Sequence, residues 1–146
     1  MFKKILYPTD FSDVSQKALD YIKQLRASGS TEIVVLHVVN QRVIEGIRRH
    51  VGDESRIEEF ETMVREEANQ SLIEIENELK KVPYKVKCII KIGIPLREIL
   101  RVEEEEDVSV IVIGSHGRTN LEEVFLGSVS EKVIRKCKKP VLVIKR

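Results

Sequence analysis

Tryptophan is absent from these 146 residues, the remaining aromatics are four phenylalanines and three tyrosines, and there are only two cysteines. A chain so poor in cysteine is not a small secreted scaffold stapled by disulfides. Cys88 and Cys137 stand in apolar surroundings without the C-x-x-C spacing of redox and zinc motifs, so both are expected as reduced core thiols. No run of about 18 apolar residues occurs, which leaves no candidate membrane-spanning helix. An excess of one charge is also missing: 25 Lys and Arg face 24 Asp and Glu, for a formal charge of +1. That balance lacks the basic face expected of a partner for nucleic acid or for an anionic membrane, and neither partner is expected. The opening MFKKILYPTDFS is too briefly apolar for the core of a signal peptide, so a cytoplasmic protein is expected.

Several catalytic motifs are missing as well. His37, His50 and His116 are scattered, with neither H-E-x-x-H nor paired cysteines, so no metal site is expected. There is no G-x-S-x-G nucleophile elbow and no G-x-x-x-x-G-K-[ST] phosphate loop. No catalytic residue is assigned.

What is present is a regular alternation of strand and helix signals, expected to form a single domain over residues 1–146. Residues 3–7 are short and β-compatible, and they stop at Pro8. Asp10 or Ser12 can cap the next helix, with Val14, Ala18, Ile22 and Leu25 as its apolar stripe and Gly29 at its end. Residues 32–39 are nearly continuous in aliphatic side chains, the pattern of a strand buried on both faces. Residues 40–55, broken by Gly46, Gly52 and Asp53, read as an irregular or partly helical excursion. From 56 to 82 apolar residues step by three or four, which predicts one long amphipathic helix closed by Pro83.

Lysine alternates with apolar residues at the start of 85–92, which predicts an edge strand with one wet face. After Gly93-Ile94-Pro95 a helix carries Leu96, Ile99 and Leu100 inward. The acidic run 103–107 should fray into solvent, because acids at a helix C-terminus oppose the macrodipole. Residues 108–113 form a second buried strand running into Gly114. The helix Ser128 to Lys136 could turn Val129, Val133 and Cys137 towards the sheet, and Val141 to Ile144 close the chain as a last strand. This order implies an α/β fold: an open five-stranded parallel sheet between two helix layers, since parallel crossovers are nearly always right-handed.

In such sheets ligands bind beyond the C-terminal strand ends, where strand order reverses. Gly114 can let a sugar or phosphate approach the backbone, and Gly117 can take a positive φ to turn the loop. Gly127 and Ser128 open a helix whose unpaired N–H groups favour an anion, and the hydroxyls of Ser128 and Ser130 can donate further bonds. The same residues also have an ordinary reading, Gly114 as a strand-end turn and Ser128 as an N-cap.

With these residues in place, the chain resembles the universal stress proteins, in their ATP-binding branch. The resemblance runs through Ile5-Leu6-Tyr7-Pro8-Thr9-Asp10-Phe11-Ser12, His37-Val38, Gly93-Ile94-Pro95, Ile113-Gly114-Ser115-His116-Gly117-Arg118, Gly127-Ser128-Val129-Ser130-Glu131-Lys132-Val133 and Pro140-Val141-Leu142-Val143-Ile144. The family's nucleotide signature is Gly, two residues, Gly, nine residues, Gly, then Ser or Thr. It is met at Gly114, Gly117, Gly127 and Ser128.

The resemblance implies a Rossmann-like sheet of the adenine nucleotide alpha hydrolase type with strand order 3-2-1-4-5. It implies that Asp10 holds the ribose hydroxyls, that Pro8 and Thr9 line the base pocket, and that Val38 offers backbone groups to the adenine. Gly114 would sit by the ribose, with Gly117, Gly127, Ser128, Val129 and Ser130 on the phosphates. Arg118 either neutralises phosphate charge or points to solvent, and Asp10 has the alternative role of helix N-cap. His116 is expected at the surface rather than as a catalyst.

ATP, ADP or AMP is the expected ligand, with any Mg²⁺ carried through the phosphates, and a homodimer through Val141 to Ile144 is the expected assembly. A regulatory or sensor module is expected. A slow or partner-dependent ATPase and a structural member that binds no nucleotide are the alternatives. Rapid hydrolysis is not expected, because no phosphate-loop lysine and no obvious second carboxylate stand near the glycines.

Overall fold

The computed structural model describes residues 2–115 and 128–145, apart from the side chains of residues 13–16. Strands and helices follow in the order β1 Lys4–Pro8, α1 Asp13–Leu25, β2 Glu32–Asn40, α2 Gln41–Val51, α3 Glu54–Leu79, β3 Lys85–Gly93, α4 Pro95–Glu105, β4 Val110–Gly114, α5 Ser128–Lys136 and β5 Val141–Ile144. Every strand pair is parallel, and the sheet order is β3-β2-β1-β4-β5. This is the expected fold and strand order. Among the described residues no helix is long and apolar enough to cross a membrane.

Side-chain alternation along the central strands divides the core in two. Ile5 and Tyr7 of β1, with Val110 and Val112 of β4, pack against Ala18, Leu19 and Ile22 of α1 and Leu72, Ile75 and Leu79 of α3. Leu6, Val34, Leu36, Ile111 and Ile113 project to the other face, where Ile99 and Val102 of α4 and Val133 of α5 cover them. Each fully buried aliphatic side chain contributes about 1.5–3 kcal/mol relative to exposure. The two layers therefore hold the sheet flush from both sides, as unbroken apolar strands demand. Strand β3 is at the edge, with Lys85 and Lys87 exposed as the alternation predicts. Val14, expected in the α1 stripe, is among the side chains outside the described residues.

Three local expectations are narrowed or corrected. Of the two readings of residues 40–55, irregular or partly helical, the structure takes the helical one. Asn40 caps α2 by accepting from the Arg42 N–H at 3.0 Å, and Gly46 lies inside the helix with open space about it. Gly52 ends α2 in the left-handed region at φ 63°, and Asp53 then caps α3. Gly46 is thus a tolerated helix-interior residue and Gly52 a C-cap. Nor does Val129 face the sheet: it is 37% exposed, and the inward positions are Ser130 and Val133.

The acidic run is the third case. Helix α4 continues to Glu105, and Glu103 is buried, its two carboxylate oxygens accepting from the Lys138 N–H at 3.0 and 3.3 Å. Glu106 pairs with Lys4 at 3.2 Å and with Lys87, so it ties β1 to β3 from the end of α4. The Lys87 contact, followed by that of Lys4, holds the Glu106 carboxyl below its ordinary pKa against the opposing effect of burial. On the turn into α4, Gly93 has no space for a side chain, since an added Cβ would lie 2.9 Å from Cγ and Oε1 of Glu98. Glu98 is itself buried and receives a 2.8 Å bond from Arg101.

The lowered pKa of Glu106 fixes the sign of an acid effect. The group's stabilisation is complete above its unfolded-state pKa of about 4.3 and is lost as pH falls through the folded value. Glu78, held down to about 2 by Lys81 and Lys23, acts in the same direction. Urea unfolding should therefore separate wild type from Glu106→Gln near pH 7 and bring the two together as pH approaches 2. A separation that does not change with pH would contradict this assignment.

Candidate functional site

Because the strands are parallel, β1, β2 and β4 all end at one edge of the sheet, and the order reverses between β1 and β4. A cavity of about 610 Å³ opens at that edge. Pro8, Thr9 and Asp10 reach it from the end of β1, Val38 from β2, Gly114 from the end of β4, and Ser128, Val129 and Ser130 from the first turn of α5. These site residues, separated by more than 100 positions in sequence, are thus gathered on one cavity. Gly117, Arg118 and Gly127, with His116, lie outside the described residues.

The turn after β1 is fixed by short-range bonds. The Thr9 N–H donates to the Leu36 carbonyl at 2.9 Å, which extends the β1–β2 pairing by one residue. The Phe11 N–H donates to Thr9 Oγ1 at 3.0 Å, and the Ser12 N–H donates to Asp10 Oδ1 at 3.0 Å. Ser12 occupies the N-cap of α1 but makes no side-chain cap bond; the carboxylate of Asp10 takes the Ser12 N–H instead. Phe11 sits in the left-handed region at φ 64°. For a bulky L-residue that conformation costs about 1–3 kcal/mol and persists only where its surroundings enforce it.

His37 supplies part of that enforcement. Its Nδ1 lies 2.8 Å from the Thr9 carbonyl oxygen, and a carbonyl only accepts, so Nδ1 carries the proton. The imidazole stacks on the Phe11 ring with centroids 4.3 Å apart and planes at 30°. Both residues line the cavity. At the opposite wall, the Ser130 hydroxyl donates to the Gly114 carbonyl at 2.8 Å and so ties the start of α5 to the end of β4.

The cavity's third wall was missed in reading the sequence. Val64, Glu67, Ala68 and Ser71 line it from α3, with Val43 from α2. The four α3 residues are spaced i, i+3, i+4 and i+7, one helix face. The clue was the interruption of that face by Glu67 and Ser71, two polar residues on a side that otherwise turns inward. Where only Asp10 was expected, the cavity therefore carries a second carboxylate, Glu67.

The cysteines fit the expected inert thiols. Burial raises the Cys88 pKa to about 11 and pushes that of Cys137 upwards, which keeps both protonated near neutrality. Among the described residues no group of three or more His, Cys, Asp or Glu could hold a metal ion.

The fold and cavity together define a doubly wound α/β protein with a cavity at the strand-order switch point, where such folds commonly bind ligands. The sequence profile of the Universal stress protein family matches residues 1–145, and the chain belongs to that family. Universal stress protein MJ0577 from Methanocaldococcus jannaschii is 44% identical over 158 aligned residues, covering 100% of this chain and 96% of that protein. The solved structure of MJ0577 superposes with a TM-score of 0.90 at 45% identity, over 100% of this chain and 97% of that one.

More distant chains share the fold. A universal stress protein from Archaeoglobus fulgidus in complex with dAMP has a TM-score of 0.66 at 24% identity, over 99% of this chain and 100% of that one. Another, in complex with cAMP, has a TM-score of 0.69 at 19% identity, over 99% of this chain and 97% of that one.

Ser130→Ala removes the donor to the Gly114 carbonyl at a residue that is only 7% exposed. The expected cost is about 1–2 kcal/mol in urea unfolding. An unchanged midpoint would show that the hydroxyl is not committed to the backbone.

Proposed function

We propose that this chain binds an adenine nucleotide, ATP or its ADP or AMP counterpart, and acts in the cytoplasm as a single-domain regulatory or sensor module of the stress response. The observation that carries the proposal is the shared cavity, where Asp10, Val38, Gly114 and the first turn of α5 converge although they come from four separate elements. Asp10 would take the ribose hydroxyls, with Pro8 and Thr9 beside the base and Val38 presenting backbone groups to it. The first turn of α5, with Ser128, Val129 and Ser130, offers N–H groups to phosphate. The residues expected to complete the phosphate site are Gly117, Arg118 and Gly127. The dAMP and cAMP complexes of more distant relatives support an adenine nucleotide as the ligand class.

Any Mg²⁺ would be carried mainly by the phosphates and water, which is how this cation commonly accompanies nucleotides. Holding rather than cleaving is the activity the site supports best, because the sequence lacks the lysine-bearing phosphate loop. Calorimetric titration with ATP and Mg²⁺ tests the proposal. Wild type should bind saturably, and Asp10→Ala should weaken binding by about tenfold or more, the loss of a charge-assisted hydrogen bond. Saturable binding unaffected by Asp10→Ala, or no binding at millimolar ATP, would sink it.

Strand β5 is the sheet edge opposite β3, and Val141, Leu142 and Val143 are only partly buried in the monomer. An apolar parallel edge of this kind favours pairing with a second chain, and we propose a homodimer through Val141–Ile144. Val143→Pro should shift the sedimenting species to monomer by removing an edge N–H. A dimer that survives the substitution would place the interface elsewhere.

A further inference from the structure

Among the described residues that line the cavity, Phe11 alone has a positive φ, and it lies one residue after Asp10. An isolated turn would relax from that conformation, so something beyond the turn must hold it. His37 reaches it twice, from a different strand: its Nδ1–H meets the Thr9 carbonyl at 2.8 Å, and its ring lies against Phe11 at 4.3 Å. Thr9 and Phe11 are the two neighbours of Asp10 in the chain. The imidazole therefore grips the turn on both sides of the carboxylate, on the α1 and α3 side of the sheet, where Ile33 and Val35 of the same strand also project.

We propose that His37 is a positioning residue for the ribose-binding carboxylate, holding the Thr9–Phe11 turn in the strained conformation that presents Asp10 to the cavity. This inference rests on the nucleotide reading above and adds to it a route by which a strand residue tunes affinity for one part of the ligand. A residue that merely packed the core would weaken every ligand of the cavity alike. A residue that acts through Asp10 weakens only those that carry ribose hydroxyls.

Titration of the full chain with ATP and with 2′,3′-dideoxy-ATP separates the two cases. His37→Leu, which keeps bulk but loses the donor and the aromatic face, should weaken ATP roughly tenfold and dideoxy-ATP less than about twofold, the range of a single hydrogen bond. His37→Asn can offer an amide N–H from the place of Nδ1 and should recover most of the lost ATP affinity. In an Asp10→Ala background, His37→Leu should add no further loss, the outcome of two residues acting through one interaction.

Equal losses for both ligands, or a full additional loss in the Asp10→Ala background, would overturn the inference and leave the nucleotide reading standing. Wild type that binds neither ligand would sink both. The hydrogen bond itself is checked without any variant, by ¹⁵N spectra of histidine in wild type: a proton on Nδ1 is expected, and a ring protonated at Nε2 alone would overturn the inference.

Discussion

A parallel sheet of this composition cannot leave either face in water, and that constraint organises the rest of the molecule. Strand β1 is buried on both sides, Ile5 and Tyr7 against α1 and α3, Leu6 against α4 and α5. To cover both faces with right-handed crossovers, the chain must build outward from β1 in one direction through β2 and β3, then return and build outward through β4 and β5. The reversal leaves a gap between the ends of β1 and β4, because α1 packs on one face of the sheet and α5 on the opposite face. The cavity is thus a by-product of covering the sheet. The residues at its rim are polar where the strands run out and α5 begins: Thr9, Asp10, Asn40 and Ser128.

The opposite end of the sheet is closed by charge. Glu106 joins Lys4 of β1 and Lys87 of β3, two strands separated by β2, and the backbone N–H of Lys4 also donates to Ser109 Oγ at 3.1 Å. Glu103 reaches the backbone of Lys138 just before β5. Helix α4 therefore fastens both halves of the sheet through its last two turns, while the cavity at the other edge is bounded by loops and first turns. Rigid scaffold at one end and loop-borne residues at the other is the usual division between stability and binding.

Much of this was legible in the chain. The strands announced themselves as aliphatic runs, the C-terminal end of α5 and both ends of β5 fell where their sequence signals put them, and the lysine alternation of β3 marked an edge. Three things were not legible, each for a physical reason. Gly46 and Gly52 look alike in a sequence, yet one is a helix interior with room around it and the other a left-handed cap. The acids at 103–107 appear unfavourable because their partners Lys4, Lys87 and the Lys138 backbone are contributed by other elements. The role of His37 was invisible because a histidine in a strand declares nothing until the turn after β1 is laid against it. The α3 wall of the cavity belongs to the same class: Glu67 and Ser71 read as part of a solvated helix face until the helix returns over the sheet.

Position 11 shows how such a site can stand at odds with the stability of its own chain. Backbone energetics alone would favour glycine at φ 64°, where the Cβ of any other residue crowds the following carbonyl oxygen. The ring is kept in place by its stack on His37, so the local conformation is an agreement between a turn side chain and a strand side chain rather than a preference of the loop alone. Selection for heat resistance alone would push this residue towards glycine, trading a loaded spring for a slack one, whereas selection for a fixed carboxylate would keep the spring wound.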